Sequence, residues 1–325
     1  MKDDFNPAQF IILGIDGQEV EDDLRQLIET TRPAGFLLLG TNYRDENQLG
    51  GLVSNLKSLC GGETIFAVDQ EPGRVQRFKS GFPLSKKPEY YLRQGNMNEY
   101  KAWCAATAQL MSSIGINLNL APVLDLSSDN SNNPVLQHRT FGDNAEKVSA
   151  FALIMIEEFR RRGIKLCAKH FPGLGSSRGD PHDVLSISDD SLERFLDYHW
   201  KPFKVVAGSG VDCIMTTHLF AAAIDSQYCA TYSKNAIGHL KHTIGHKGII
   251  ISDDLYMGGA NSGDSPGQAA VSSIMAGHNL VIVSRTTELQ REAIEYLARR
   301  YVEDEGFKKA ADENMKKVRA FRNAL

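Results

Sequence analysis

Two polar clusters, each at the end of an apolar run, carry the residue types that could do chemistry. The first run ends in Lys169 and His170, and the loop after it holds three glycines and finishes with an acid and an imidazole, Asp180 and His182. The second run ends in Asp253. Polar side chains on loops that a rigid scaffold positions are typical of active sites. Asp253, His182 and Asp180 are therefore the candidates for the chemical steps.

The two-residue spacing between Asp180 and His182 lets the carboxylate reach the imidazole within one turn of the loop. A carboxylate in that position fixes the tautomer of the ring, which can then act as a general acid and afterwards as a base near neutral pH. The same residues could form an Asx-type turn with a solvated histidine, which is common in loops rich in glycine and proline. Placement after a strand that ends in polar residues favours the catalytic interpretation.

Asp253 ends an apolar run, so we expect its carboxylate to point into the open space at the end of the predicted strand. An aspartate there could instead cap the following helix. A cap needs only one carboxylate, and the neighbouring Asp254 can supply it. The sequence therefore assigns chemistry to Asp253 and a structural role to Asp254.

Further polar residues could bind a small ligand. Lys169 and His170 suit hydrogen bonds to hydroxyl groups, although a buried lysine can also form a Schiff base, bridge metals once carboxylated, or pair with a carboxylate. Asp69 ends another apolar run, Arg77 follows it, and Arg139 is a further basic loop residue. The remaining histidines are expected to be solvated: His199, His239, His242, His246 and His278.

Eight short apolar runs, each followed by a segment of helical character, occupy most of the chain. The predicted strands are 10–15, 35–40, 64–69, 117–126, 164–171, 213–219, 248–255 and 279–284. The predicted helices are 20–31, 46–60, 97–114, 144–162, 191–207, 235–243, 266–275 and 289–301. Several runs are apolar on both faces, as in a parallel sheet covered by helices. Eight such alternations predict an α/β fold, a (β/α)8 TIM-like barrel.

In such a barrel the chemistry lies at the carboxyl ends of the strands. The residues expected together at this rim are Asp69, Lys169, His170, His218 and Asp253. No linker or shift in composition divides the chain, so we expect a single domain over residues 1–325. A charged C-terminal helix at about 304–325 should pack outside the barrel.

Bulk properties exclude several classes of protein. The 325 residues are 42% hydrophobic and 23% charged, which allows a sizeable core. The formal net charge of −4 is spread without long runs, so neither nucleic acid nor a membrane is an expected partner. No run approaches the ~18 apolar residues of a membrane span, and the first apolar run is too short for a signal peptide. Five cysteines without CxxC spacing predict reduced core residues and a cytoplasmic protein.

Five motifs occur in a recognisable order. They are VDQEPGRVQR (68–77), LAPVLDL (120–126), RTFG (139–142), KHFPG (169–173) and SDDLYMGG (252–259). Together they closely resemble the family 3 glycoside hydrolases, specifically the β-N-acetylglucosaminidase branch, over about residues 10–279. The resemblance implies that Asp253 is the nucleophile and that His182 is the acid/base, assisted by Asp180. It also implies that the sugar ring is bound by Asp69, Arg77, Arg139, Lys169 and His170.

The implied activity is that of a retaining enzyme that removes terminal non-reducing N-acetylglucosamine through a covalent glycosyl-aspartate intermediate. The partner would be a small oligosaccharide of the cell-wall (muropeptide) or chitin type, and neither a metal nor a cofactor is required. The branch and the expected cytoplasmic location favour peptidoglycan recycling. The aglycone, the oligomeric state and the use of phosphate in place of water as acceptor stay open.

The chain departs from the family pattern at three positions. Family members usually have Glu-Gly-Gly where this chain has Glu-Pro-Gly, so Pro72 replaces the first glycine. They usually have Pro-Gly-His-Gly-Asp where this chain has Pro-Gly-Leu-Gly-Ser, so Leu174 replaces a histidine and Ser176 an aspartate. These changes alter what lines the site and leave the preference beyond the first sugar open. The β-glucosidases of the family carry a glutamate acid/base on a second domain, for which this chain is too short.

Other interpretations of the same residues remain. A β-glucosidase or another exo-glycosidase of the family is one. A metal-dependent amidohydrolase on the same barrel would use carboxylated Lys169, His170 or His182, His218 and Asp253, although the first strand lacks a His-x-His pair. A barrel that binds cell-wall sugars without catalysis would be compatible with the departures in the loop.

Overall fold

The structure, a computed structural model, describes residues 5–127, 133–180, 184–260, 264–284 and 286–325. Its strands are β1 (Ile11–Gly14), β2 (Gly35–Leu38), β3 (Ile65–Val68), β4 (Leu118–Asn119), β5 (Lys165–Phe171), β6 (Ser186–Ser188), β7 (Cys213–Thr216), β8 (Leu219–Ala221), β9 (Ile249–Asp254) and β10 (Leu280–Val283). Its α-helices are α1 (Asp22–Thr31), α2 (Glu46–Cys60), α3 (Pro88–Gln94), α4 (Met97–Ile114), α5 (Ala145–Arg160), α6 (Leu192–Arg194), α7 (Lys201–Gly208), α8 (Lys234–Gly238), α9 (Pro266–Ala276), α10 (Thr287–Glu303) and α11 (Glu305–Arg322).

Eight parallel strands close into a barrel in the order β1-β10-β9-β7-β5-β4-β3-β2. Closure is made by β1, in which Ile12 pairs with Gly35 on one side and with Ile282 on the other. Both faces of most strands are buried, since one faces the barrel interior and the other the surrounding helices. The predicted (β/α)8 TIM-like barrel is confirmed.

The helices pack against one another around the outside of the barrel. Side-chain caps set where several of them begin: Asp45, Asn96, Asn144, Thr286 and Asp304 each accept a backbone N–H of the first helical turn. The C-terminal helix α11 packs on α9, α10 and β9, with Phe307 and Val318 fully buried. The described segments contain no helix that is both long and apolar enough to cross a membrane.

Some predicted elements differ in the structure. The helix expected over 191–207 is divided into α6, a π-helical turn (Phe195–His199) and α7, and the one over 235–243 into α8 and another π-helical turn (His239–Thr243). The strand expected over 117–126 is reduced to β4. Pro122 lies in the remainder of this segment and lacks the N–H that a strand would donate. Directly after it, Val123 pairs with Lys169 in an isolated bridge. Helix α3 and the two-stranded parallel sheet of β6 and β8 were not expected.

Burial confirms one expectation about side chains and overturns another. All five cysteines are free and buried: Cys60, Cys104, Cys167, Cys213 and Cys229. His242 is exposed as expected and His239 is half-buried, but His199, His246 and His278 are buried. The prediction of solvated histidines was therefore wrong for three of the five. The amphipathic pattern of a helix shows which face is buried but not which polar side chain finds a partner there.

Candidate active site

A cavity of about 640 Å³ lies where the barrel strands end. Apolar side chains from four barrel segments contribute to its wall: Leu37, Leu120, Met215 and Ile282. Six of the predicted site residues also line it: Asp69, Arg77, Arg139, Lys169, His170 and Asp253. Because the carboxyl ends of parallel barrel strands share one rim, predicted site residues up to 184 positions apart in the chain (Asp69 to Asp253) meet around one space.

Lys169 binds two carboxylates. Its Nζ lies 2.6 Å from Asp69 Oδ1 and 2.7 Å from Glu71 Oε1, and its side chain is only 2% exposed. Burial would lower the pKa of Lys169, but the two carboxylates outweigh burial and raise it. Lys169 is therefore an ammonium group at neutral pH. This charge state opposes the Schiff-base and carboxylated-lysine alternatives, both of which need an uncharged amine.

Glu71 links Lys169 to Arg139. Arg139 donates from Nε to Glu71 Oε2 at 2.8 Å and from a terminal nitrogen to Oε1 at 2.7 Å, a bidentate pair. Burial would raise the pKa of Glu71, yet Arg139 and Lys169 lower it to about 2. The sequence analysis did not select Glu71. Its position two residues after Asp69 at the end of β3 was the available indication.

His170 is oriented by Asp125. Its Nδ1 lies 2.6 Å from Asp125 Oδ2, and Asp125 Oδ1 accepts the backbone N–H of Leu174 at 2.7 Å. Since a carboxylate only accepts, Nδ1 carries the hydrogen and Nε2 is left as an acceptor. Arg139 lies 3.3 Å from that Nε2. Asp125, which is fully buried, therefore fixes both the imidazole and the start of the loop after β5.

Asp69 also pairs with Arg77. A terminal nitrogen of Arg77 lies 3.1 Å from Asp69 Oδ2. Burial would raise the pKa of Asp69, but Lys169 and Arg77 hold it well below its usual range, so the carboxylate is charged. Arg77 Nε is buried and has no partner within the described part of the chain, which leaves one donor for a ligand.

Asp253 holds its carboxylate with two hydrogen bonds. Oδ2 accepts from Thr217 Oγ1 at 3.2 Å, and Oδ1 accepts the backbone N–H of Asp254 at 2.9 Å. Asp254 itself accepts from the hydroxyl and the backbone N–H of Ser284, which ties the ends of β9 and β10 together. Burial raises the pKa of Asp254. His218, fully buried rather than lining the cavity, donates to the carbonyl oxygen of Asp254 at 2.9 Å.

The family of the chain follows from comparison with known proteins. The model of the "Glycosyl hydrolase family 3 N terminal domain" matches residues 8–319. The chain belongs to glycoside hydrolase family 3. A curated "Beta-hexosaminidase" from Neisseria gonorrhoeae (strain NCCP11945) is 34% identical over 284 residues, which are 84% of this chain and 76% of the relative.

Two solved structures of the same type resemble the barrel. A family 3 β-N-acetylglucosaminidase from Paenibacillus sp. str. FPU-7 superposes with a TM-score of 0.90 at 26% identity, over 98% of this chain and 62% of that chain. A β-N-acetylhexosaminidase from Beutenbergia cavernae DSM 12333 gives a TM-score of 0.89 at 25% identity, over 98% of this chain and 97% of that chain.

The family match confirms the resemblance drawn from the motifs. Because the members of this family hydrolyse glycosides, the assignment replaces the amidohydrolase alternative. Among the residues that the structure describes, no three His, Cys, Asp or Glu side chains are grouped so as to hold a metal ion. Asp180 is described and is not among the residues that line the cavity. His182 lies outside the described residues, so its role stays a prediction.

Proposed function

We propose that this family 3 glycoside hydrolase is a retaining β-N-acetylglucosaminidase that removes terminal non-reducing N-acetylglucosamine from oligosaccharides. The observation that carries the proposal is that the Asp253 carboxylate lines the same cavity as the charged network of Asp69, Lys169 and Arg139. A retaining exo-glycosidase needs a nucleophile beside groups that hold the sugar ring. The names of the relative and of the solved structures support an acetamido sugar as substrate.

In the first step Asp253 attacks the anomeric carbon while the glycosidic bond breaks. The leaving oxygen takes a proton from His182, held by Asp180, and a β-linked substrate becomes an α-linked glycosyl ester on Asp253. In the second step neutral His182 removes a proton from water, which displaces Asp253. Two inversions return the β configuration.

The charge states of the network match the task of holding hydroxyl groups. The ammonium of Lys169 and the guanidinium of Arg139 donate, and the ionised Asp69 accepts. His170 is held by the hydrogen bond between Nδ1 and Asp125, and its Nε2 lies 3.3 Å from the Arg139 guanidinium. Since these partners are fixed by one another before a sugar arrives, little reorganisation is needed on binding.

The preference for an acetamido sugar is the sharpest test. A buried partner for the acetamide would be left unpaired by a sugar that lacks this group, which costs several kcal/mol. We expect kcat/KM for an aryl β-N-acetylglucosaminide to exceed that for the aryl β-glucoside by at least ~10²-fold. Comparable values would refute the assignment of specificity while sparing the glycosidase mechanism.

The covalent intermediate can be tested separately. A 5-fluoro glycosyl fluoride of the same sugar should trap the enzyme, and peptide mass mapping should place the label on Asp253. Asp254→Asn is the matched control, because it changes the adjacent carboxylate and should still permit labelling. A label on Asp254 or Asp125 would contradict the assignment of the nucleophile.

For the physiological substrate we favour a muropeptide fragment over a chitin oligosaccharide, in cytoplasmic peptidoglycan recycling. Three cations from one loop line the cavity, namely Arg74, Arg77 and Lys79, and they would attract an anionic lactyl group on the neighbouring sugar. A higher kcat/KM for N-acetylglucosaminyl-β-1,4-N-acetylmuramic acid than for chitobiose, falling as salt rises, is the expected result. Equal values at low salt would count against this choice.

A further inference from the structure

Three polar side chains form a hydrogen-bonded cluster, which we call the loop clamp: Ser176, Asp190 and His199. Asp190 Oδ2 lies 2.9 Å from His199 Nε2, and it also accepts the hydroxyl hydrogen of Ser176. The Ser176 hydroxyl lies 3.4 Å from the same imidazole nitrogen. None of the three is among the described residues that line the cavity. Neither the charged network nor the proposed chemistry uses them.

The buried imidazole of His199 has a defined protonation state. Its side chain is 1% exposed, and burial lowers its pKa despite the neighbouring Asp190, so the ring is neutral at pH 7. Because a carboxylate only accepts, Nε2 carries the hydrogen and donates it to Asp190. Nδ1 then holds a lone pair with no partner among the residues described. Leaving such an atom unpaired costs about 1–3 kcal/mol.

Two glycines of the loop after β5 leave room for the His199 imidazole. A Cβ added to Gly173 would lie 3.1 Å from His199 Cβ, and one added to Gly175 would lie 3.3 Å from His199 Cε1. At Gly175 the same Cβ would also lie 1.7 Å from the carbonyl oxygen of Leu126, so no side chain fits there. The backbone of the loop therefore lies directly against the ring. The π-helical turn that ends at His199 places the ring at this point.

The clamp joins the two limbs of one loop. Ser176 lies on the outgoing limb and Asp190 on the returning limb. Between them Arg178 and Ile187 exchange two backbone hydrogen bonds, of 2.9 and 3.0 Å, and β6 pairs with β8. In the sequence, Asp180 and His182 fall between these two limbs.

We propose that Ser176, Asp190 and His199 are positioning residues: by joining the two limbs of the loop, they support the proton transfer to the leaving oxygen that is proposed for Asp180 and His182. The proposal rests on the function proposed above. A positioning error of about 1 Å can cost about 10²-fold in rate, so loss of this clamp should lower the rate by a measurable factor. Ser176 is one of the departures from the family loop, and its hydroxyl links this loop to Asp190.

The test compares His199→Leu, His199→Gln and Ser176→Ala with the unmodified protein. Glutamine can place an amide N–H near the position of Nε2, whereas leucine cannot donate. For an alkyl β-N-acetylglucosaminide, which needs a proton on the leaving oxygen, we expect kcat/KM to fall about 10–10²-fold in His199→Leu. For the 2,4-dinitrophenyl glycoside, kcat/KM should change less than about 3-fold, because that leaving group needs no proton. His199→Gln should recover most of the loss.

The matched control is His246→Gln, which changes a buried imidazole just ahead of β9, at the opposite end of the barrel. It should destabilise the protein without separating the two substrates. Equal losses on both substrates in His199→Leu, or the same separation in the control, would overturn the positioning role.

Hydrogen–deuterium exchange provides a readout that does not depend on activity. Amides of peptides covering 176–190 should exchange faster in His199→Leu than in the unmodified protein, while those of β9 should not. Unchanged exchange over 176–190 would overturn the clamp. If the unmodified protein hydrolyses no N-acetylglucosaminide, the proposed function fails, and the exchange result still decides whether the clamp holds the loop.

Discussion

Replacing Glu71 by glutamine should remove the link that holds Lys169 and Arg139 together. Glu71 is fully buried and makes three contacts of 2.7–2.8 Å with these two cations. The amide of glutamine keeps the volume of the side chain but loses the charge, and its N–H groups would face other donors. Asp69 would then be the remaining carboxylate in contact with Lys169.

The size of the effect follows from the contact distances. At 2.7 Å and an effective dielectric constant of about 20, each attraction is worth about 6 kcal/mol before the cost of removing the charges from water. After that cost, breaking a buried pair typically lowers the free energy of unfolding by about 3–5 kcal/mol. With an unfolding entropy of about 0.7 kcal/mol/K for a chain of this length, the melting temperature should fall by about 4–7 °C. Urea denaturation and calorimetry would measure both quantities.

The control is Glu158→Gln, which removes another buried carboxylate. Glu158 is held by Arg162 at 2.9 Å and by Arg161 at 3.3 Å on the outside of the barrel. Both variants should lose stability, but only Glu71→Gln should raise KM for the aryl N-acetylglucosaminide, by about 10-fold or more, since Lys169 and Arg139 line the cavity. A loss of stability below about 1 kcal/mol, or equal KM values in the two variants, would refute the reasoning.

Four further outcomes are expected. Asp253→Asn should lower kcat by at least about 10³-fold while leaving the melting temperature within about 2 °C, as an amide cannot form the glycosyl ester; a turnover near that of the unmodified protein would contradict this. Replacing His182 by alanine should reduce the rate about 10²–10⁴-fold for poor leaving groups and less for activated ones, with Asp180→Ala giving a milder form of the same pattern; losses independent of the leaving group would assign His182 to sugar binding. Asp125→Asn should raise KM more than it lowers kcat, as measured by steady-state kinetics, because asparagine no longer keeps the hydrogen of His170 on Nδ1 and the tautomer of this ring is then not fixed. The depressed pKa values of Asp69 and Glu71 contribute stability that is present above about pH 4.5 and is lost as the pH falls towards 2; urea midpoints at pH 5 and pH 3 should therefore differ less in Glu71→Gln than in the unmodified protein.

The sequence by itself determined the architecture, because the barrel depends on periodicities that are local. Runs such as 35–40 and 279–284 are apolar on both faces, as expected for strands covered on both sides, and the segments between the runs are amphipathic or charged. Asp69, Lys169 and Asp253 could be placed at one rim because they end their strands and parallel strands share a direction. The motifs also carried the family, which the match over residues 8–319 confirms.

Tertiary structure alone decided which polar groups are paired. Glu71 and Arg139 are 68 residues apart, and Asp125 and His170 are 45 apart, so no local pattern links them. The same holds for His199, which was expected to be solvated and is buried. Its burial comes from the loop after β5 folding across it, where Gly173 and Gly175 leave room. A linear pattern records which residues face inward, but ion pairs and buried hydrogen bonds depend on which distant segment arrives opposite them, and that is a property of the closed barrel.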